Sequence, residues 1–326
     1  MRNDALKALG RVASRTLRAL HVSRRARRRL AGWTWAYLPS ERLDTYLVSG
    51  YQNPRINVQS ILVRHFLIRR LFGDQFDELM DEEIRFALRL NEVLRLRALE
   101  LGVTMGSFVD PVKHRAVKMV DEAIEGLDSE FVDRWRRELA EREAVSVSVL
   151  EFACGSANDY RTIEESGLAR FIKYRGIDLT SKNIANARRR FPGVDFEVGD
   201  VTSLPYPDKS YDYVVASDLF EHLPVDGVRL ALNHAARVAR RGVILAFFSM
   251  SDIPEHAVRP KDAYYWNRLS RPQVEAELRQ HFPSLTATPI ATWLAERFDY
   301  QRSYNRNAWT IVAERPEQAR GSVEGP

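Results

Sequence analysis

Four short segments in the second half of the chain concentrate groups that bind ligands or move protons. They are "LEFACGSAN" (150–158), "GIDLT" (176–180), "GDV" (199–201) and "ASDLFEHLP" (216–224). Each sets an acid at or just after a short apolar run, and the first adds a turn of small residues through which a ligand can approach the backbone. Carboxylates at such positions accept hydrogen bonds from ligand hydroxyl and amino groups. His222 closes the fourth segment, and an unperturbed imidazole pKa of ~6.5 suits it to take a proton near neutral pH. The seven histidines show no pairing with carboxylates at metal-ligand spacing, so no metal site is expected.

The elements that must position these groups follow from the texture of the sequence. From Val145 onward, short apolar runs alternate with amphipathic stretches. Strands are expected at 145–151, 172–177, 194–198, 211–216, 242–248, 286–293 and 308–314, and helices near 157–166, 181–190, 227–240 and 271–281. This alternation predicts an α/β domain, a Rossmann-like doubly wound, mostly parallel seven-stranded sheet with helices on both faces. Ligands in such folds gather at the carboxyl ends of the strands, where all four segments lie. Residues 41–142 read as a helical subdomain, with Asn53, Arg55, Asn57, Gln59 and His65 as candidates to line a cleft. The expected organisation is a basic tail over 1–40, the helical subdomain over 41–142, the α/β domain over 143–315 and a flexible tail over 316–326.

In order, type and spacing the four segments, followed by a last strand "AWTIVAE", resemble a class I S-adenosylmethionine-dependent methyltransferase over about 145–315. The resemblance implies S-adenosylmethionine as cofactor and the following roles. Asp178 would accept from both ribose hydroxyls, Leu179 would lie against the adenine, and Asp200 would take the adenine amino group with backbone help from Val201. Glu151 would hold the turn and the amino end of the methionine moiety, with backbone at Ala153 and Gly155 close to the cofactor. Asn158 or Arg161 would meet its carboxylate, and Ser217 would line the site. His222 is the candidate general base or acceptor-orienting group, with Glu221 and Asp218 as substitutes. The polar, aromatic segment after the fifth strand offers His256, Arg259, Lys261, Tyr264, Tyr265 and Trp266 as an acceptor wall.

One departure bears on the loop. The family pattern is E-x-G-x-G-x-G, and this chain has Ala153 and Ala157 at two of the glycines. Alanine pays a steric cost at positive φ, so the substitution predicts a tightened turn with no left-handed backbone at 153 or 157.

Composition narrows the function further. The single cysteine, Cys154, excludes an internal disulfide, and no apolar run approaches the ~20 residues of a membrane-crossing helix. Residues 1–30 hold ten Lys/Arg against one Asp, whereas the rest of the chain is net acidic. A basic amphipathic helix followed by Trp33, Trp35 and Tyr37 is the pattern of a segment lying on an anionic membrane surface, here residues 1–38. The expected activity is O-methylation of a small-molecule, glycan or lipid-linked acceptor, in the cytoplasm or at the inner face of a membrane. Nucleic acid is disfavoured as substrate, because "SDLF" stands where amine methylation of bases uses a [DNS]-P-P-[YFW] motif and the lone cysteine sits in the cofactor loop. Ribose methylation of RNA and a non-catalytic scaffold on the same fold are the alternatives, with a nicotinamide enzyme more distant.

Overall fold

The computed structural model describes residues 55–100, 129–143, 146–261, 264–301 and 305–316, with side chains outside 91–100 and 129–130. The proposed membrane segment 1–38 and Asn53 lie outside these residues. Described residues 55–88 belong to one compact unit with those from 130 onward, while Arg89–Ser129 is assigned to a second.

Among the described residues three helices precede the sheet: α1 (Val58–Phe72), α2 (Asp77–Glu100) and α3 (Ser129–Ala140). Then β1 (Val147–Phe152), α4 (Asn158–Glu165), β2 (Ile172–Asp178), α5 (Ser181–Arg190), β3 (Asp195–Val198) and β4 (Tyr211–Ser217) alternate along the chain. They are followed by α6 (Val225–Val238), β5 (Ala239–Phe247), α7 (Arg271–Arg279), β6 (Ser284–Pro289), α8 (Ile290–Phe298) and β7 (Trp309–Glu314). The seven strands form one sheet in the order β6-β7-β5-β4-β1-β2-β3. Only β7 runs antiparallel to its neighbours, as the mostly parallel expectation required.

The central strands are apolar on both faces because helices cover both, which is how a parallel sheet must be buried. On one face Val149, Ile172 and Tyr213 pack with α1, α3, α4 and α5 through Phe66, Trp135, Ile163 and Ile184. On the other, Leu150, Val214 and Leu245 pack with α6 and α7 through Leu232, Ala235 and Leu278. The four expected helices of this domain form within two residues of their expected ends. Strand 286–293 does not hold: it spans 284–289, and "IATWLAERF" then turns into α8. Ile290, Leu294 and Phe298 recur every four residues and are buried against α1 and α2, so a helical face wins over strand extension.

The order places β1 and β4 side by side at the centre, with β2 and β5 flanking them. The segments after β1, β2 and β4 therefore converge on one rim of the sheet, and Gly199 binds into that rim through its amide to the Asp178 carbonyl.

Candidate active site

The loop after β1 reverses the expectation for the alanines. Ala153 and Ala157 both stand in left-handed backbone, at φ 53° and 63°, with Gly155 between them at 55°. The steric cost at each alanine is about 1–2 kcal/mol. Hydrogen bonds that the conformation makes possible oppose that cost. The Cys154 amide donates to the Ile177 carbonyl (2.9 Å), the Ala157 amide to the Cys154 carbonyl (2.9 Å), and the Gly155 amide to Asp178 Oδ2 (3.1 Å). The loop keeps a glycine-like path without the glycines because it is pinned to the end of β2.

Asp178 is buried and does structural work along with any ligand role. Its Oδ1 accepts from the Thr180 amide (2.8 Å) and Asn183 Nδ2 (3.1 Å), fixing the start of α5. Next to it Leu179 is 73% exposed, an apolar surface left uncovered where the resemblance puts an adenine. Asp200 Oδ1 accepts from the amide (2.8 Å) and hydroxyl (2.7 Å) of Thr202, closing a turn, and Val201 is buried beneath. Asn158 Oδ1 accepts from Arg190 (2.9 Å), and Arg161 pairs with Glu165 (3.0 Å), which Arg55 also grips with two hydrogen bonds.

A cleft of about 360 Å³ opens at this rim. Glu151, Ala153, Gly155, Asn158, Asp159, Ser217 and Asp218 line it, and Asn57, Gln59 and Ser60 at the start of α1 form a further wall. Gln59 Nε2 donates to the carbonyls of Phe247 (3.1 Å) and Trp309 (2.9 Å), tying α1 to the ends of β5 and β7. Ser60 donates to Asp159 Oδ1 (2.9 Å). Of the polar residues expected before the sheet, Asn57 and Gln59 thus reach the cleft. His65 instead joins a buried cluster in which Glu83 accepts from Arg64, His65 (2.6 Å) and Trp135 (2.8 Å). Asp159 and Ser60 escaped the sequence reading. Asp159 carried a usable signal, an acid in the first turn of the helix that the cofactor loop opens, whereas Ser60 lies about a hundred residues away with none.

The cleft is acidic, with Glu151 buried at its base and Asp218 exposed at its mouth. Burial, reinforced by the charge of Asp159, raises the Glu151 carboxyl to about 8 although Tyr174 donates to its Oε2 (2.6 Å). Burial likewise raises Asp159, against a donor hydroxyl from Ser60. Asp218, left-handed at φ 52° as β4 ends, is pushed up to about 7 by desolvation and then by Asp159.

Beyond Asp218 the chain makes a single turn, Phe220–His222. Glu221 is fully buried: its Oε1 accepts from the Ser249 amide (2.9 Å), joining the exits of β4 and β5, and desolvation raises it to about 8. It has no surface to offer an acceptor. His222 Nδ1 lies 3.0 Å from the Tyr265 carbonyl. A carbonyl only accepts, so Nδ1 is the donor in this contact and Nε2 is the ring nitrogen left to take a proton. Around His222 stand Phe248, Tyr264 and Trp266, with ring centroids at 5.3, 5.5 and 5.5 Å. The ammonium of Lys261 lies 4.4 Å from the Trp266 ring centre. Tyr264 and Trp266 remain 40% and 43% exposed.

The expected acceptor wall is therefore split. Tyr264, Tyr265 and Trp266 surround His222, and Arg259 is tied to the same hairpin, its carbonyl accepting from the Trp266 amide and its amide donating to Asn267 Oδ1. His256 goes elsewhere: its Nδ1 accepts from the Ser270 amide (2.9 Å), and it lines a separate groove between α6 and α7 with Leu232 and Gln273.

Comparison with known proteins agrees with this geometry. Residues 149–242 match the family model of a methyltransferase domain. The chain carries a methyltransferase domain of the S-adenosylmethionine-dependent kind. Its relatives include a demethylmenaquinone methyltransferase of Paenarthrobacter aurescens, 28% identical over 209 residues, covering 58% of this chain and 79% of that protein. A fatty-acid O-methyltransferase of Mycolicibacterium smegmatis is 34% identical over 127 residues, covering 36% of this chain and 43% of the relative. Among solved structures, magnesium protoporphyrin IX methyltransferase from Synechocystis, with bound cofactor, overlays at a TM-score of 0.38 and 18% identity over 58% of this chain and 79% of its own. The residues present fit such a cofactor: the rim offers several carboxylates, an exposed leucine and a cleft of small-molecule size. Among the described residues no cluster of three His, Cys, Asp or Glu side chains is placed to hold a metal, and no helix is long and apolar enough to cross a membrane.

Proposed function

We propose that this methyltransferase methylates an oxygen of a small-molecule or lipid-linked acceptor bearing apolar or ring surface, with His222 as general base. The observation that carries the reading is the 3.0 Å contact between His222 Nδ1 and the Tyr265 carbonyl within an aromatic surround. S-adenosylmethionine supplies an electrophilic methyl group on a sulfonium, so the protein has to orient an acceptor and remove its proton. His222 Nε2 receives the hydroxyl proton, and the Tyr265 carbonyl steadies the imidazolium through Nδ1–H. Phe248, Tyr264 and Trp266 hold the acceptor and keep water from the base. A lipid acceptor accords with the similarity to a fatty-acid O-methyltransferase, and segment 1–38 supports presentation at an anionic membrane surface.

The test is transfer of labelled methyl groups from the cofactor into separated lipid, glycan, small-molecule and RNA fractions. Label is expected on oxygen in the lipid or small-molecule fraction. His222→Ala should lower kcat by about 100-fold or more with cofactor affinity unchanged. Label on nitrogen or in RNA would contradict the reading, as would full activity of the variant. Liposome binding that survives deletion of residues 1–38 would remove the membrane part alone.

A further inference from the structure

Two cations stand in the aromatic wall of His222 without a part in the proton transfer. Residues 257–261 and 264–268 pair as antiparallel arms of a hairpin in which Lys261 opposes Tyr264 and Pro260 opposes Tyr265. The same register sets Arg259 opposite Trp266, whose amide donates to the Arg259 carbonyl (2.8 Å). Opposed residues of a strand pair share a face, and so do residues two apart on one strand. Arg259, Lys261, Tyr264 and Trp266 therefore belong to one face of the hairpin. Tyr264 and Trp266 turn that face to His222, with both ring centroids 5.5 Å from the imidazole.

A buried frame holds the hairpin in this place. Asn267 is fully buried and donates from its amide to the Glu221 carbonyl (2.9 Å) and from Nδ2 to the Leu223 carbonyl (2.8 Å). Those are the residues on either side of His222. Its Oδ1 accepts from the Arg259 amide (2.9 Å), so the cationic arm is registered against the candidate base even though the side chains of Arg259 and Lys261 are exposed. The Lys261 ammonium lies 4.4 Å from the Trp266 ring centre and 5.5 Å from that of Tyr264. Among the described residues neither Lys261 nor Arg259 forms an ion pair with an acid. Trp266 thus touches both the imidazole and an ammonium whose charge is open to a ligand.

We propose that Lys261, assisted by Arg259, is a specificity-determining residue that selects an acceptor carrying an acidic group, a carboxylate or a phosphate, in addition to the hydroxyl that His222 deprotonates. The proposal rests on the reading of His222 as the base of an acceptor site. An acceptor whose apolar or ring-shaped body packs along Trp266 reaches the imidazole with its hydroxyl and the ammonium with its anion. An exposed charge pair is weak, so the selection belongs to acceptor affinity and not to the chemical step.

The test incubates the full chain with methyl-labelled S-adenosylmethionine and cell extract, then separates the products by organic extraction and anion exchange. Label is expected on an oxygen of a product that the anion exchanger retains. Retention of the organic-phase product would identify an acidic lipid, and retention of the aqueous product a soluble carboxylate or phosphate. In a dilution series of the active fraction, Lys261→Gln should raise the apparent KM about fivefold and Lys261→Glu about tenfold, with kcat within about twofold and Lys261→Arg near the unmodified protein. An oxygen-labelled product that passes the exchanger, an unchanged KM in Lys261→Glu, or an equal rise in Lys261→Arg would overturn the charge selection and leave the role of His222 standing. Label on nitrogen or in RNA, or in no fraction, would overturn both.

Discussion

Ala153 and Ala157 show how local chemistry is overruled at a binding loop. Both residues sit at positive φ because Cys154, Gly155 and Ala157 are hydrogen-bonded into a path that glycine would follow without strain. Ala153→Gly and Ala157→Gly should therefore each stabilise the protein by about 0.5–1 kcal/mol in urea denaturation, the relief of strain exceeding the extra entropy glycine gives the unfolded chain. Unchanged or lower stability would mean that the methyl contacts outweigh the strain. Glu221 illustrates the opposite limit, a charged residue type held neutral. Its folded pKa of about 8 lies above the unfolded value, so its contribution is complete below pH ~4.5 and is lost as pH rises through 8. Glu221→Gln, which still accepts from Ser249, should melt close to the unmodified protein at pH 6 and above it at pH 9. Identical melting at both values would contradict that account. The strand-end acids were legible as a set because each follows an apolar run, but their partners were not. Nothing local distinguishes Glu221, sealed under Ser249, from Asp218, open to the cleft.

Elements carry the site by holding loops against one another. Gly176 on β2 is the tightest example: a Cβ there would lie 2.8 Å from Tyr174 Oη, 2.9 Å from Cys154 Sγ and 2.9 Å from Phe196. Gly176→Ala should thus cost about 1–3 kcal/mol and weaken cofactor binding by displacing Cys154 and its loop. Urea denaturation and calorimetric titration measure the two effects, and loss of neither would show that the loop is not seated on β2. Helix α1 does similar work from the far side of the sequence. Gln59→Ala removes both bonds to β5 and β7, and cofactor affinity is expected to fall several-fold, by about the worth of one or two hydrogen bonds. An unchanged affinity would separate α1 from the site. The strand and helix alternation was legible throughout 146–281 because parallel strands are apolar runs and their crossovers are amphipathic. It failed at Ile290–Phe298, where a four-residue period lay inside an apolar stretch short enough to pass for a strand. The role of α1 was visible only as scattered polar residues, since its bonds to the cleft and the sheet join positions about 100 to 250 residues apart.

For the whole molecule, the raised carboxyls set a pH dependence whose sign is fixed. Glu151 and Glu221, both buried and raised to about 8, lie above their unfolded values, so they favour the folded state at low pH and lose that contribution as pH rises from ~5 to 8. Glu83, held at about 2 chiefly by Arg64 against its own burial, behaves oppositely: its contribution is present above pH ~4.5 and is lost as pH falls toward 2. The ligand-free protein should accordingly melt highest near pH ~5, with Tm declining toward pH 9, and saturating cofactor should flatten the alkaline side by supplying the missing cations. A Tm that rises from pH 5 to 9 would contradict the charge account. The most direct test of the central claim, that the rim of β1, β2 and β4 is the S-adenosylmethionine site, is calorimetric titration of the unmodified protein and Asp178→Ala with that cofactor. The account predicts saturable one-to-one binding that the variant weakens by about 2 kcal/mol or more, roughly 30-fold. No binding by the unmodified protein, or equal affinity in the variant, would contradict it.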